Sequence, residues 1–143
     1  EGQEGMEAWG LRRFFALTAD TMAAVGLPQL PAAAEIGFFK KRFAPQDFFP
    51  SSQVSCAQPG AIVFPVITFE KESRVRSLTP SEAMARLLRL CPWASYDKPT
   101  AGEHLRTLGR LVKETVNFDI LAGTDLLEDP ARASDLLTAY ARS

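Results

Sequence analysis

The stretch AIVFPVITFEKESRVRSLTPSEAMARLLRLC, residues 61–91, contains the two clearest structural signals of the chain. Residues 61–69 form a near-continuous apolar run rich in β-branched side chains, which predicts a strand covered on both faces. Pro65 has no N–H donor, so it favours an edge position or a bulge for that strand. Residues 79–82, Thr-Pro-Ser-Glu, combine an N-cap threonine, a first-turn proline and a reciprocal glutamate, and they predict the start of a helix.

Three further elements are predicted on the C-terminal side of this stretch. The helix that starts at Thr79 should end before Pro92, because proline cannot continue it. A second helix with periodic leucines is predicted to be capped at Thr100, and an alternating pattern predicts a strand over 116–122. A last helix is predicted to follow a cap at Asp129.

Two elements are predicted on the N-terminal side. Thr18 is the predicted cap of a short helix that ends at Gly26, where glycine allows a left-handed stop. A short strand is predicted around 36–39. The resulting order is helix, strand, strand, helix, helix, strand, helix, which is an α/β chain of mixed type. Without internal repeats or an obvious linker, residues 1–143 are interpreted as a single unit.

The composition is typical of one globular domain. The 143 residues are 46% hydrophobic and 23% charged. The net charge of -1 argues against nucleic-acid and membrane partners, whose binding proteins usually carry a basic excess. Two cysteines, no secretory signal and no apolar stretch of about 20 residues predict a cytoplasmic protein. Abundant alanine and arginine with a single asparagine favour a GC-rich bacterial source, and a homo-oligomer stays open.

Several catalytic signatures are missing from the sequence. It has no G-x-x-x-x-G-K-[ST] phosphate loop, no G-x-G-x-x-G after a strand and no G-x-S-x-G elbow. His104 is the only histidine, so no histidine metal site is predicted, and its place in a helical first turn favours a solvated residue. Cys91 is interpreted as a core residue and Cys56 as a loop residue. Arg74 and Arg76 are interpreted as part of a solvated loop.

Lys40, Lys41 and Arg42 are the candidate contacts to a phosphate or nucleotide. Three adjacent cations could face phosphate oxygens, and an arginine can supply two parallel donors. The alternative interpretation is a solvated turn whose long side chains cover apolar surface. The phenylalanines nearby form either core or a surface that another segment covers, and they are Phe38, Phe39, Phe48 and Phe49.

Four segments, taken in order, carry a resemblance to a known family. They read LTADT…GLP within 17–28, KRFAP at 41–45, AIVFP at 61–65 and LTPSEA…RLL within 78–88. Followed by a helix, a strand and the segment Asp125-Leu126-Leu127, this order resembles the C-terminal half of HPr-serine-kinase-like P-loop proteins. These proteins are the relatives of HPr kinase/phosphorylase and of phosphoenolpyruvate carboxykinase. The resemblance extends over residues 9–137.

The resemblance implies a fold and a reaction. The family has a mixed sheet with flanking helices and transfers phosphoryl groups between a nucleotide and a small hydroxyl acceptor or a protein serine, with magnesium. Its phosphate loop, metal-binding carboxylates and catalytic base lie upstream of the matched part, and none has a counterpart in this chain. ATP and Mg²⁺ are therefore implied only for a larger kinase-like domain. Lys41 and Arg42 fall at a family position near the nucleotide or acceptor phosphate.

Two functional hypotheses follow from these observations. In the first, residues 1–143 are the C-terminal part of a kinase-like phosphotransferase and are inactive alone. The chain would then join the remainder of its kinase domain or a partner chain, with a protein, peptide or small molecule as phosphoacceptor. Its start at Glu1 instead of methionine is expected of a piece of a longer protein. In the second hypothesis, a non-catalytic domain derived from the same fold binds a protein or peptide through an aromatic-rich face.

Overall fold

The computed structural model describes residues 5–10, 14–24, 26, 35–36, 40–47, 49–51, 54–92, 96 and 98–141. The chain divides into two compact units, Glu1–Gln58 and Pro59–Ser143. Both strands and helices are present, so the predicted mixed α/β class is confirmed at that level. That residues 1–143 belong to a single kinase-like domain stays a prediction.

The described residues of the first unit form short antiparallel strands, one short α-helix and a 3₁₀ helix. Its elements are β1 (Ala8–Trp9), β2 (Phe15–Thr18), α1 (Ala19–Ala24), β3 (Glu35–Ile36), β4 (Lys40–Phe43), a 3₁₀ helix (Pro45–Asp47) and β5 (Cys56–Ala57). β1 pairs with β5, and the other strands form an antiparallel sheet in the order β2-β4-β3. β4 is therefore the central strand of that sheet.

Local capping fixes the ends of α1, as predicted. The Thr18 hydroxyl accepts a hydrogen bond from the amide of Thr21 at 3.2 Å, which satisfies an otherwise unpaired first-turn donor. Beyond the helix, Gly26 has a φ of 69°, the left-handed conformation that glycine adopts without strain. The strand predicted around 36–39 is present as β3 at its start, and residues 37–39 lie outside the described part of the chain.

The second unit is built on a three-stranded mixed sheet. Its elements are β6 (Ala61–Ile67), β7 (Arg74–Ser77), α2 (Pro80–Leu90), α3 (Lys98–Glu114), β8 (Val116–Ala122), α4 (Asp125–Glu128) and α5 (Pro130–Ala141). The strand order is β6-β8-β7, with β6 parallel and β7 antiparallel to the central strand β8. No helix in the described part of the chain combines the length and apolar character needed to cross a bilayer.

Both faces of β8 are covered. On one face, α2 and α3 pack over the sheet through a core formed by Phe64, Leu78, Ala83 and Val112. On the other face, the Phe118 ring meets the ring of Tyr140 from α5, with centroids 5.8 Å apart. The polar residues of β8 are consequently buried too. Asn117 is satisfied by donating to the carbonyls of Val112 and Thr115.

The predicted helix ends are confirmed where a local cap defines them. Thr79 and Glu82 form the predicted capping box: the Thr79 hydroxyl accepts from the Glu82 amide at 3.3 Å, and a Glu82 carboxylate oxygen accepts from the Thr79 amide at 2.9 Å. Asp129 accepts from the amide of Ala131 at the start of α5. The predicted cap at Thr100 is wrong, because α3 already begins at Lys98.

β6 is an edge strand, as Pro65 predicted. The Thr68 amide donates to Ala122 of β8, so the alternation of a strand turns the backbone of Pro65 away from β8. Proline therefore stands where no ladder donor is needed. The prediction that both faces of this strand are covered is wrong, because Ile67 is 84% exposed.

Candidate functional site

β4 places the predicted cations Lys40, Lys41 and Arg42 on one strand. The alternative interpretation of a solvated turn is wrong, because these residues form the central strand of the β2-β4-β3 sheet. Side chains alternate along a strand, so Lys40 and Arg42 share one face and Lys41 lies on the other. Lys40 and Arg42 are exposed, and Lys41 is partly buried.

The face that carries Lys40 and Arg42 is exposed and cationic. Across from them on β2 are the small residues Thr18 and Ala16, which leave the two long side chains accessible. The Arg42 guanidinium lies 4.0 Å from the centroid of the Phe14 ring. Such a cation–π contact holds the guanidinium plane in place while its N–H edges remain open to a ligand. We call this surface, formed by Lys40 and Arg42 with Phe14, the β4 cationic face.

The opposite face of the same sheet carries Lys41 beside apolar residues of β2 and β4, with Glu35 of β3 across from Lys41 in the register. Phe15 pairs with Phe43 in the strand register, and their rings are stacked with centroids 6.0 Å apart. Lys41 pairs with Leu17 on this side and is two residues from Phe43. The three predicted cations therefore do not present a single joint surface, since two of them face one side and Lys41 faces the other.

A second charged cluster lies in the other unit, around Asp119 of β8. Nε and Nη2 of Arg76 donate to Oδ2 of Asp119 at 3.1 and 2.8 Å, and Nη2 of Arg86 donates to the same oxygen at 2.8 Å. Asp119 is 1% exposed. We call these three residues the arginine pair cluster. They join the edge strand β7 and the helix α2 to the central strand.

The arginine pair cluster was missed by sequence reasoning. Arg74 and Arg76 are exposed, as predicted, but the predicted loop is wrong, because both lie in β7. Arg76 lies directly across from Asp119. The alternation Arg74, Val75, Arg76 has the two-residue period of a strand and was the available signal. The sequence around Arg86 did not indicate its ion pair, because the partner Asp119 is 33 residues away.

The charges of this cluster are unequal. One buried carboxylate faces two guanidiniums, and Oδ1 of Asp119 is buried without a hydrogen-bond partner among the described residues. The Glu82 carboxyl is nearby, and its pKa is lowered, first by the hydrogen bonds from Thr79 and further by the positive charges of Arg76 and Arg86. Glu82 therefore stays ionised as the capping partner of α2.

Asp125 closes the turn that leads into β7. Its carboxylate accepts hydrogen bonds from the amide and hydroxyl of Ser73, and these bonds lower the pKa of Asp125. The Ser73 hydroxyl in turn accepts from the Gly123 amide at 2.8 Å, and Arg132 lies 3.3 Å from Asp125. Both Asp125 oxygens have partners, so this cluster is interpreted as structural support.

The remaining candidate residues show no assembled chemistry. His104 is exposed on α3, in agreement with a solvated helix residue. Cys56 lies in β5 and not in a loop, and partial burial together with Glu7 raises the pKa of its thiol. Cys91 is partly buried and free at the end of α2. Of the predicted phenylalanine group, Phe49 is exposed and the other three fall outside the described residues.

The described residues contain no cluster of ligating side chains for Mg²⁺. No group of three or more histidine, cysteine, aspartate or glutamate side chains there could hold a metal ion. The two cationic surfaces, one in each unit, are the places where its side chains could meet an anionic ligand. Comparisons with protein-family models, curated proteins and solved structures find no match to the chain.

Proposed function

We propose that this chain is the C-terminal portion of an ATP-dependent phosphotransferase resembling HPr serine kinase. In that role it supplies sheet, helices and basic residues, and another segment supplies the phosphate loop and the metal ligands. The ordered resemblance over residues 9–137 supports this proposal. The finer fold assignment, in which β6, β8 and β7 belong to a kinase-like sheet, is part of the same proposal.

The observation that carries the proposal is the β4 cationic face. Lys40 and Arg42 stand side by side on an exposed surface, and Phe14 orients the arginine. Arginine can donate two parallel hydrogen bonds to a phosphate, and lysine adds a compact charge that adjusts to a second oxygen. Phosphoryl transfer depends chiefly on positioning and on stabilising charge around the transferred group. The β4 cationic face would contribute that stabilisation.

In this proposal, Lys40, Lys41 and Arg42 have different roles. Lys40 and Arg42 would contact phosphate oxygens of the nucleotide or of the phosphorylated product. Lys41 would contribute less, because it lies on the opposite side of the strand with Leu17 and Phe43. ATP enters as the substrate and Mg²⁺ as its companion ion, both bound chiefly by the segment that carries the phosphate loop. The chain alone is expected to be inactive.

The direct test uses the longer protein that contains this chain. We expect it to bind ATP, to hydrolyse it slowly and to transfer phosphate to a hydroxyl acceptor when Mg²⁺ is present. Isothermal titration with ATP measures binding, and radiolabelled γ-phosphate follows transfer. Absence of nucleotide binding by the longer protein would overturn the proposal. A G-x-x-x-x-G-K-[ST] sequence after a strand-like run upstream of Glu1 would support it.

One observation favours a second candidate, a protein- or peptide-binding domain without catalysis. Several large side chains of the first unit are exposed, namely Trp9, Phe14, Phe15, Phe49 and Val54. Exposed aromatic residues are typical of interaction surfaces. The two candidates differ in one measurement: a binding domain would capture a peptide through Trp9 and its neighbours while the longer protein shows no affinity for ATP.

A further inference from the structure

We infer that the arginine pair cluster is a binding site for a phosphomonoester group, separate from the β4 cationic face. Arg76 comes from strand β7 and Arg86 from helix α2, and Asp119 holds both guanidiniums through one oxygen at 2.8 Å. Asp119 is fixed in the middle of the buried strand β8. The donors are thus placed before a ligand arrives, which reduces the entropy lost on binding.

Both guanidiniums keep donors available for a ligand. Their side chains are exposed to solvent, to 54% for Arg76 and 33% for Arg86. Three N–H groups donate to Asp119, whereas each guanidinium carries five. Neither arginine makes another hydrogen bond with the residues that the structure describes. Most of the donors of the pair therefore remain free.

The number of free donors selects the class of ligand. Asp119 neutralises one of the two guanidiniums, and the ionised Glu82 carboxyl nearby offsets part of the remaining positive charge. Oε2 of Glu82 accepts hydrogen bonds from the amide and hydroxyl of Thr79, so it does not occupy the donors of the arginines. A phosphomonoester carries about two negative charges near neutral pH and three acceptor oxygens, so it can engage both forks at once. A carboxylate has half the charge and fewer acceptors.

Anion titration of the full chain tests this inference. Inorganic phosphate is added at constant ionic strength while nuclear magnetic resonance follows the arginine Nε–H signals and the amides of β7 and α2. We expect saturable shifts centred on Arg76, Arg86 and Asp119, and none with acetate. Arg76→Gln and Arg86→Gln should each weaken phosphate binding about tenfold or more, the loss expected for a charge-assisted hydrogen bond. Arg74→Gln, an exposed neighbour on the same strand, is the matched control and should bind normally.

Conservative variants distinguish a loss of phosphate binding from a loss of folding. Each single substitution leaves Asp119 one arginine, and Arg76→Lys and Arg86→Lys also keep the charge while removing the planar fork. A loss of affinity in the lysine variants supports recognition by the fork. Absence of saturable binding to the wild-type chain, or an equal loss in Arg74→Gln, would overturn the inference. The outcome is measured on the signals of Arg76, Arg86 and Asp119 alone, so it is distinguishable from phosphate binding at the β4 cationic face.

Discussion

Asp119 shows how one residue organises the second unit. It lies in the central strand, yet its three hydrogen bonds come from side chains of the edge strand and of α2. A buried carboxylate without partners would be costly, and the two arginines remove most of that cost. Because both arginines are partly exposed, water can still solvate them if the carboxylate is lost. The cluster is therefore asymmetric: the aspartate depends on the arginines more than they depend on it.

Replacing Asp119 tests this cross-link. Asp119→Ala removes all three hydrogen bonds and leaves two like charges side by side, so the free energy of unfolding should fall by about 1–3 kcal/mol. Chemical denaturation followed by circular dichroism measures the change. Glu70→Ala, which breaks only the exposed pair with Arg74, should leave the stability nearly unchanged and serves as the control. Equal stability of the Asp119→Ala and wild-type proteins would contradict the account.

Alanine substitutions at two glycines, Gly123 and Gly109, should change the stability in opposite directions. A Cβ at Gly123 would lie 2.8 Å from the Glu70 carbonyl oxygen and 2.9 Å from a backbone carbon of Glu72. Gly123→Ala should therefore destabilise the chain by about 1–3 kcal/mol, as overpacking against backbone does. Gly109→Ala in α3 meets nothing within 4 Å and should stabilise the chain by about 0.5–1 kcal/mol. Thermal unfolding measures the change in stability of each variant. A Gly123→Ala variant that is more stable than wild type would refute the packing argument.

At the scale of elements, the turn between β6 and β7 depends on the ionised Asp125. Its pKa is lowered in the folded chain by hydrogen bonds from Ser73, so folding is favoured while Asp125 is ionised. The contribution is complete above the unfolded pKa, near 4 for an aspartate, and is lost as the pH falls through the lower folded value. The lowered pKa of Glu82 acts in the same direction on α2.

The pH dependence of stability checks this linkage. Unfolding free energy measured from pH 6 to pH 2.5 should stay level at first and then decline below about pH 4. Ser73→Ala removes the hydroxyl donor, so the decline attributable to Asp125 should shrink in that variant. Ser81→Ala, an exposed position in α2 outside the capping pair, is the control and should retain the wild-type curve. A Ser73→Ala profile that coincides with wild type would show that Asp125 does not contribute in this way.

The elements also show how far sequence reasoning reaches. The caps at Thr18, Thr79 and Asp129 were predictable because each acts on amides two or three residues away. The short strands β2 and β4 were not, since each is stabilised by pairing with distant residues and has only four residues of its own. Adjacent charges in β4 concealed its strand character further.

The candidate sites were also only partly predictable from the sequence. Lys40, Lys41 and Arg42 could be selected from the sequence as a cluster of cations. Their separation onto two faces follows from the strand, which the sequence did not reveal. The arginine pair cluster was out of reach, because Arg76 and Asp119 are 43 residues apart and meet only through the register of β7 with β8.

At the scale of the whole molecule, the two units carry different surfaces. The first presents the β4 cationic face, and the second holds a sheet covered by helices with the arginine pair cluster at its β7 side. Neither unit contains, within its described residues, a cluster that could hold a metal ion. In the proposed phosphotransferase, the chain would contribute charge and scaffold, and another segment would supply the phosphate loop and the metal site.

The proposed phosphotransferase role depends on the affinity for ATP of a longer protein that contains this chain. Isothermal titration compares the wild-type protein with Lys40→Ala, Arg42→Ala and the matched control Lys41→Ala, and circular dichroism confirms folding. The account predicts that Lys40→Ala and Arg42→Ala each weaken ATP binding by about tenfold or more, as loss of a charge-assisted contact does. Lys41→Ala should change the affinity little, because Lys41 lies on the opposite face. Equal affinities in all four proteins, or no ATP binding by any of them, would contradict it.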